Sequence, residues 1–588
     1  MRSQIGPFNS AFLCVLCGLI IYGPRLAAKD LPPAPEPATG FAAAPAATAK
    51  HFMVAAANPL AVAAGVQILK QGGNALDAAI ATQMVLNLVE PQSSGIGGGG
   101  FLLYYSAQDK RLYAYDGRET APAAAKPDMF LDGQGKPLSF YDAVVGGKSV
   151  GVPGLLAMLN LAHARHGKLD WAALFTPAIG QAEQGFAISP RLNKLIAADP
   201  HLAKQEAARG YFYRPDGSPR AIGETLKNPK FAALLRQIAQ QGSQAFYQGA
   251  IARDLVASVR NHPTHPGTLS EDDLKGYRAK VREPVCGPYH DYVVCGMPPP
   301  SSGGITLLQI LGMLQQIRLF SELRPVSTAS AHLFSEAGRL AYADRNRYLA
   351  DSDFVPVPVR ELTDPRYLAT RSRLIQLNRS MGKAQPGTPL PAVAPATIAS
   401  EALELPATSH LTIVDAHGNA VAMTSSIENA FGSRILVHGF LLNNQLTDFA
   451  FQPTEDGRPV PNRIEPGKRP LSSMSPTVVF DAHGQLVGAL GSPGGSAIIN
   501  YVAQTLVGVI DWKLDIQQAM SLPHFGSRNG PTELEAGMGI DALRGPLEAL
   551  GHEVKISEQN SGLHGIWRSP GGWSGGADPR REGVARGE

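Results

Sequence analysis

The sequence predicts a layered fold that mixes helix and strand, of the α/β or α+β class, on three observations. Residues 411–427 alternate like two strands broken at His417-Gly418, and residues 478–492 repeat that pattern around His483-Gly484, so each reads as a hairpin. Helical spacing precedes them between Leu60 and Glu90. A second helical region, rich in Ala, Leu, Lys and Gln, runs from Asp170 to about Arg278.

Composition suits a large buried core. The chain has 588 residues, 44% hydrophobic and 17% charged, enough for two to four ordinary domains or one large one with insertions. The net charge is only +3, from 52 basic and 49 acidic side chains. No basic stripe with interleaved aromatics appears, which argues against a nucleic-acid partner.

The elements follow in order. Arg2, the apolar run Ala11–Tyr22 and the small-residue end near Ala27-Ala28 form a secretory signal over 1–28, so a periplasmic or secreted protein is expected. The run is short for a bilayer span, and an uncleaved anchor is the alternative. Cys14 and Cys17 fall inside that run, where redox or metal chemistry makes little sense. Residues 29–50 are Pro/Ala-rich and read as a flexible linker, with folded sequence from His51. A helix over Leu60–Lys70 ends at Gly72-Gly73, and Asn74 caps a second that stops before Pro91. Cys286 and Cys295 flank a turn-rich spacer with strand-like sequence on both sides; in an exported protein they read as a hairpin disulfide, with two free buried thiols as the alternative. A loop-rich stretch spans Asn378–Pro406, and a helix pair and a Gly-rich tail close the chain.

Three motifs invite readings that their context opposes. Gly95 to Gly100 satisfies GxGxxG, but strand sequence, Phe101–Tyr105, follows where a dinucleotide site needs a helix. A glycine loop that lets backbones approach closely fits better. Gly147-Lys148-Ser149-Val150-Gly151 matches a serine nucleophile elbow, yet Pro153-Gly154 interrupts where the helix should run. The 15 histidines are scattered, without HExxH or a Cys/His cluster, so no metal is expected.

One constellation carries chemistry. After the Pro/Ala-rich loop come Ala407-Thr408-Ser409-His410, then Ser426-Ile427-Glu428, Leu442-Asn443-Asn444-Gln445, and Asp448-Phe449. Lys468 to Thr477 (KRPLSSMSPT) and Gly491 to Ser496 (GSPGGS) complete it. This run resembles the small subunit of γ-glutamyltransferases (γ-glutamyltranspeptidases). The resemblance extends to GGNALDAAIA (Gly72–Ala81), EPQSSGIGGGGF (Glu90–Phe101), DGRETAP (Asp116–Pro122) and GGADPR (Gly575–Arg580), and so covers nearly everything from His51 onward.

The resemblance implies an α+β fold, the four-layer αββα sandwich of N-terminal-nucleophile hydrolases. It would be built jointly from a large subunit (51–407) and a small one (408–588), produced by self-cleavage between Ala407 and Thr408. A threonine hydroxyl is a weak nucleophile that needs a base. An N-terminal threonine carries one in its own α-amine, whose ordinary pKa is about 7.7–8. By resemblance Ser426 is a second hydroxyl near that amine, where threonine is common, and Gly494 and Gly495 supply oxyanion N–H donors. Arg118, Ser472 and Ser473 would take the substrate's α-carboxylate, and Asp448 and Gln445 its α-ammonium, with Glu428 beside them. The implied substrates are glutathione and other γ-glutamyl compounds, with water or an amino acid or peptide as acceptor and no cofactor. A glutaryl-cephalosporin acylase of the same fold is the alternative; its substrate lacks the amino group that Asp448 would bind.

Three departures stand out. Glu428 occupies a position that is often asparagine in the family, and Thr447 replaces an aspartate. Residues 449–468 are short and lack a tyrosine, so a site without a lid, open to bulky or polymeric γ-glutamyl substrates, is expected. Pro406, next to the cleavage site, could strain or hinder the cut.

Overall fold

The computed structural model describes residues 38–389 and 407–588. The expected signal over 1–28, residues 29–37 of the linker and Pro406 lie outside them. Two seven-stranded sheets form the centre. In chain order the strands are β1 (Ala47–Ala49), β2 (Met53–Ala56), β3 (Gly99–Ser106), β4 (Arg111–Asp116), β5 (Lys280–Arg282), β6 (Val285–Tyr289) and β7 (Tyr292–Gly296). After the expected cut come β8 (Thr408–Val414), β9 (Ala420–Ser426), β10 (Thr477–Asp481), β11 (Leu486–Gly491), β12 (His564–Ser569), β13 (Gly572–Ala577) and β14 (Val584–Gly587). One sheet runs β1-β13-β12-β11-β10-β7-β6 and the other β14-β2-β8-β9-β3-β4-β5. Every neighbouring pair in both sheets is antiparallel.

The sheets stack face to face, with β8 against β11 and β12, and β2 against β13. Helices cover both outer faces. Helix α1 (Pro59–Lys70) lies on β2 and β14, and α2 (Ala75–Val89) lies on β8 and β9. On the other side α3 (Gly303–Leu314) covers β6 and β7, backed by α4 (Thr328–Tyr348), while α5 (Ile498–Ile510) lies on β11. This is the four-layer αββα sandwich that the resemblance implies.

Strand alternation explains how one sheet feeds two cores. On β2, Val54 and Ala56 join the cluster under α1 and α2, whereas Met53 and Ala55 face the opposite sheet. The same period puts Leu411 and Ile413 of β8 under the helices and turns Thr408, His410 and Thr412 toward the space between the sheets. Helix α2 is buried at all fifteen positions. It starts with a reciprocal capping box: Asn74 Oδ1 accepts from Leu76 N and Asp77 N, and Asp77 accepts from Asn74 N at 3.1 Å. It stops before Pro91, as expected.

Cys286 and Cys295 face each other across the β6–β7 hairpin and form a disulfide, with Cα atoms 4.1 Å apart. The helical region over 170–278 is present, and its helix Thr176–Gln184 packs on α2. Two expectations change. The last residues of the linker, Ala47–Ala49, pair with β13 as an edge strand. The Gly-rich end is not a tail: its residues form β12, β13 and β14 and contribute to both sheets. Small residues there allow close packing, since a Cβ on Gly575 would sit 2.2 Å from Met53 Sδ. Among the described residues no helix is long and apolar enough to cross a membrane.

Several histidines are buried in neutral form. Burial pushes His564 down to about 4 and His552 down to about 3, and holds His410 and His524 well below the ordinary value. Such groups bind protons more readily in the unfolded chain. Stability is therefore expected to be lost as pH falls from about 6.5 toward 4, by up to about 1.4 kcal/mol per pH unit for each histidine. Thermal unfolding across that range checks this, and His564→Gln should flatten the slope.

Candidate active site

The pairing of β8 with β9 places Thr408 directly opposite Ser426. Thr408 Oγ1 donates to Ser426 Oγ at 3.2 Å. Ser426 Oγ in turn donates to the Ala407 carbonyl at 2.8 Å and accepts from Glu428 N at 2.8 Å. One hydroxyl thus uses its single proton and both lone pairs, and touches the Thr408 hydroxyl and the Ala407 carbonyl together. Arg581 Nη1 donates to the Thr408 carbonyl at 3.3 Å, and its Nε donates to Ser561 O at 2.8 Å.

A cavity of about 20 Å³ opens at Thr408, room for about one water molecule. Its lining joins Thr408 and Ser426 to Arg118, Glu428, Gln445, Asp448, Ser472 and Gly495, with Met474 and Ile498 as apolar wall. Residues from six separated stretches of sequence therefore meet here. Arg118 and Asp448 reach across the cavity to each other, Arg118 Nη2 donating to Asp448 Oδ2 at 2.6 Å, and their contact narrows it.

Each polar wall residue is fixed by neighbours. Arg118 follows β4, and its guanidinium also donates to Pro470 O at 3.2 Å and Leu471 O at 2.9 Å. Gln445 Nε2 donates to Asp448 Oδ2 at 2.6 Å. Glu428 sits at φ +79°, a conformation that costs energy for a residue with a Cβ, and is 2% exposed. Asn444 Nδ2 holds its carboxylate and also donates to Thr447 Oγ1 at 3.0 Å. The threonine that departs from the family pattern therefore orients Asn444, and through it Glu428. Ser472 is on the wall, its Oγ accepting from Met474 N at 3.1 Å. Ser473 is not on that wall; its Oγ accepts from Arg345 Nη2 at 2.9 Å.

Gly494 and Gly495, at φ +139° and +55°, open a single helical turn, Gly495–Ala497, that leads into the thirteen-residue helix α5. A Cβ on Gly494 would stand 2.6 Å from the Tyr501 ring, so both the angle and the space require glycine. Gly495 lines the cavity and Gly494 precedes it in the same turn. N–H groups at a helix start favour negative charge.

The competing motifs resolve physically. The glycine loop packs backbone against backbone: a Cβ on Gly98 would stand 2.1 Å from the Ser426 carbonyl. Ser149 is buried and donates to the Val144 carbonyl at 2.6 Å, which is not the geometry of a nucleophile elbow. One group with metal-ligand atoms does assemble, His332, Glu336 and His552. Its donors are engaged with protein: His332 Nδ1 meets His552 Nε2 at 2.7 Å, and Glu336 accepts from Arg339, Ser380 and Met381. Their role is to join helix α4 to the segments beside it.

Comparison with known proteins decides the family. The family model described as gamma-glutamyltranspeptidase matches residues 61–588. The chain belongs to that family. It is 38% identical over 550 residues to a glutathione hydrolase proenzyme of Bacillus subtilis (strain 168), covering 92% of each chain. It is 35% identical over 539 residues to the acylase ACY 1 proenzyme of Pseudomonas sp. (strain SE83), covering 90% of this chain and 92% of that one. Among solved structures it resembles the cephalosporin acylase of Bacillus halodurans, with a TM-score of 0.80 and 27% identity over 93% of this chain and 97% of that one.

Sequence reasoning missed Glu119. It is fully buried beside Arg118, with Oε2 3.9 Å from Nη1, and neither carboxyl oxygen has a hydrogen-bond partner. Desolvation pushes its carboxyl up to about 8. The folded state therefore binds its proton more tightly than the unfolded chain, and stability is lost as pH rises from about 4.5 to 8. Glu119→Gln should raise the melting temperature relative to the parent at pH 8 and not at pH 5. Equal shifts at both pH values would contradict this assignment.

Proposed function

We propose that this chain cleaves itself before Thr408 and then acts as a γ-glutamyl hydrolase and transferase. The observation that carries the reading is the hydroxyl of Ser426, which contacts the Thr408 nucleophile and the Ala407 carbonyl at once. In maturation Thr408 Oγ1 attacks the Ala407 carbonyl carbon, and the chain passes from the threonine nitrogen to its oxygen as an ester. Ser426 donates its hydrogen bond to the carbonyl oxygen, where negative charge develops. Water cleaves the ester and leaves a carboxylate on Ala407 and a free α-amine on Thr408. The two products stay interleaved, because each supplies strands to both sheets.

In turnover the α-amine takes the proton of Thr408 Oγ1 as that oxygen attacks the γ-carbonyl of a γ-glutamyl amide. The N–H groups of Gly494 and Gly495 stabilise the oxyanion. The proton passes to the departing amine, and a γ-glutamyl ester remains. Water then gives glutamate, or an acceptor amine gives a new γ-glutamyl amide. The substrate's zwitterionic head separates the pair now made by Arg118 and Asp448. Its carboxylate takes the guanidinium, with Ser472 at the same wall, and its ammonium takes Asp448, Gln445 and Glu428. Ser473 serves indirectly, by anchoring its neighbour to Arg345. Glutathione is the expected substrate class, and export to the periplasm or beyond follows from the N-terminal signal pattern.

The acylase relative supports a second reading, hydrolysis of glutaryl side chains. Two acidic groups and an amide oxygen placed for an ammonium favour the glutamyl head. Purified protein should contain two chains, the smaller beginning at Thr408, and Thr408→Ala should remain one chain. The mature protein should turn over a γ-glutamyl anilide with higher kcat/KM than its glutaryl counterpart; the opposite order would favour the acylase. Asp448→Asn should lower kcat/KM on the γ-glutamyl substrate about 100-fold or more, since it removes one charge of a buried pair.

A further inference from the structure

A second and larger cavity, of about 560 Å³, has no part in the chemistry above. Sequence neighbours line the two. Gly495 lines the catalytic cavity while Ser496, the next residue, lines the larger one. Ser472 lines the first, and its neighbour Ser473 is held by Arg345, which lines the second.

Charge sets this cavity apart. Four basic side chains line it, Arg339, Arg345, Lys383 and Arg528, against two acidic ones, Glu533 and Glu553. Arg339 is committed to the frame: it bonds Glu336, the carbonyls of Gly382 and Gly530, and Thr532 Oγ1. Arg345 likewise braces Ser302 and Ser473 at 2.9 Å each. Arg528 is different. Its Nη1 donates to Ser496 Oγ at 2.5 Å and its Nη2 to Glu533 at 2.7 Å, while its buried Nε has no acceptor. Its side chain is 36% exposed, and Lys383 is exposed at the rim. An excess of positive charge in a concave site with limited water attracts anions more strongly than the same charges on an open surface.

We propose that this cavity is a subsite for carboxylates on the amine half of the substrate, either the departing amine or the acceptor. The inference rests on the γ-glutamyl reading of Thr408. The glutamyl head's own carboxylate is accounted for by Arg118, so a second cationic site serves the other side of the scissile amide. The volume suits an acidic amino acid or a short peptide with a free C-terminus. Arg528 would hold the carboxylate against the wall formed by Ser496, and Lys383 would add long-range attraction at the rim.

The test compares two substrates in the mature two-chain protein: γ-glutamylglutamate, with an anionic amine half, and γ-glutamyl-p-nitroanilide, with a neutral one. The ratio of their kcat/KM values is expected to fall 10-fold or more in Arg528→Gln with Lys383→Gln. KM for γ-glutamylglutamate should rise with sodium chloride from 0.05 to 0.5 M more steeply than KM for the anilide. Lys383→Glu alone, at an exposed position, should shift the ratio in the same direction and guards against misfolding of the Arg528 variant. An unchanged ratio in all variants, with both substrates still turned over, would overturn the subsite and leave the γ-glutamyl reading standing. No turnover of either substrate by the mature parent protein would overturn that reading and this inference with it.

Discussion

The register between β8 and β9 is the constraint on which the site depends. Seven consecutive pairs, from Thr408 opposite Ser426 to Val414 opposite Ala420, leave the nucleophile no freedom to slide. A slip of one residue would turn Thr408 from the space between the sheets toward α2 and bring Ser409 in its place. Both strands are buried throughout, so such a slip would exchange Leu411 and Ile413 with His410 and Thr412 between two packed interiors. The hydroxyl of Ser426 can bridge the Thr408 hydroxyl and the Ala407 carbonyl because the sheet holds all three groups in place. Catalytic precision here derives from strand pairing within a dry interior.

The same interior raises the energetic cost of every charge placed in it. Arg118, Glu119 and Asp448 are each no more than 4% exposed and lie close together. Arg118 and Asp448 offset one another through a direct contact, and a zwitterion can separate them because it brings one partner for each. Glu119 has no such partner and keeps its proton instead. A zwitterionic head would bring its carboxylate to Arg118 and its ammonium to Asp448 and Glu428, which line the same cavity. This restricts the head group more sharply than shape does, because a ligand with one charge would leave a buried ion unpaired.

The two halves of the chain are inseparable in the fold. Strands before residue 407 form both ends of the first sheet, β1 at one and β7 with β6 at the other, and β2 to β5 of the second, while those after it form the remainder. Cleavage at Thr408 would cut the backbone at the end of a central strand without removing any strand from its neighbours. The last residues of the chain reinforce this, since β14 lies beside β2 and Arg581 reaches back to the Thr408 carbonyl.

Much of this was legible in the sequence for physical reasons. Capping residues, glycines and prolines act over three or four positions, so the end of α1 could be read from Gly72-Gly73 and both ends of α2 from Asn74 and Pro91. Hairpins at His417-Gly418 and His483-Gly484 are equally local. The family blocks around Thr408, Asp448 and Gly494 carried the site, because that chemistry tolerates few residue types at those places. Other features depended on groups far apart in the chain. The strand nature of the Gly-rich end needed partners at Met53 and Ala49, more than 500 positions away in sequence. The raised proton affinity of Glu119 and the contact of Arg118 with Asp448 arise from burial, which no local pattern encodes. The position of Ser473 behind the wall and the cationic cavity beside Ser496 also required the fold. The sequence by itself determined which chemical groups the protein possesses and where its helices and turns begin. Only the tertiary structure decided which of those groups share a solvent-excluded space, because pairing and desolvation depend on distance through space and not along the chain.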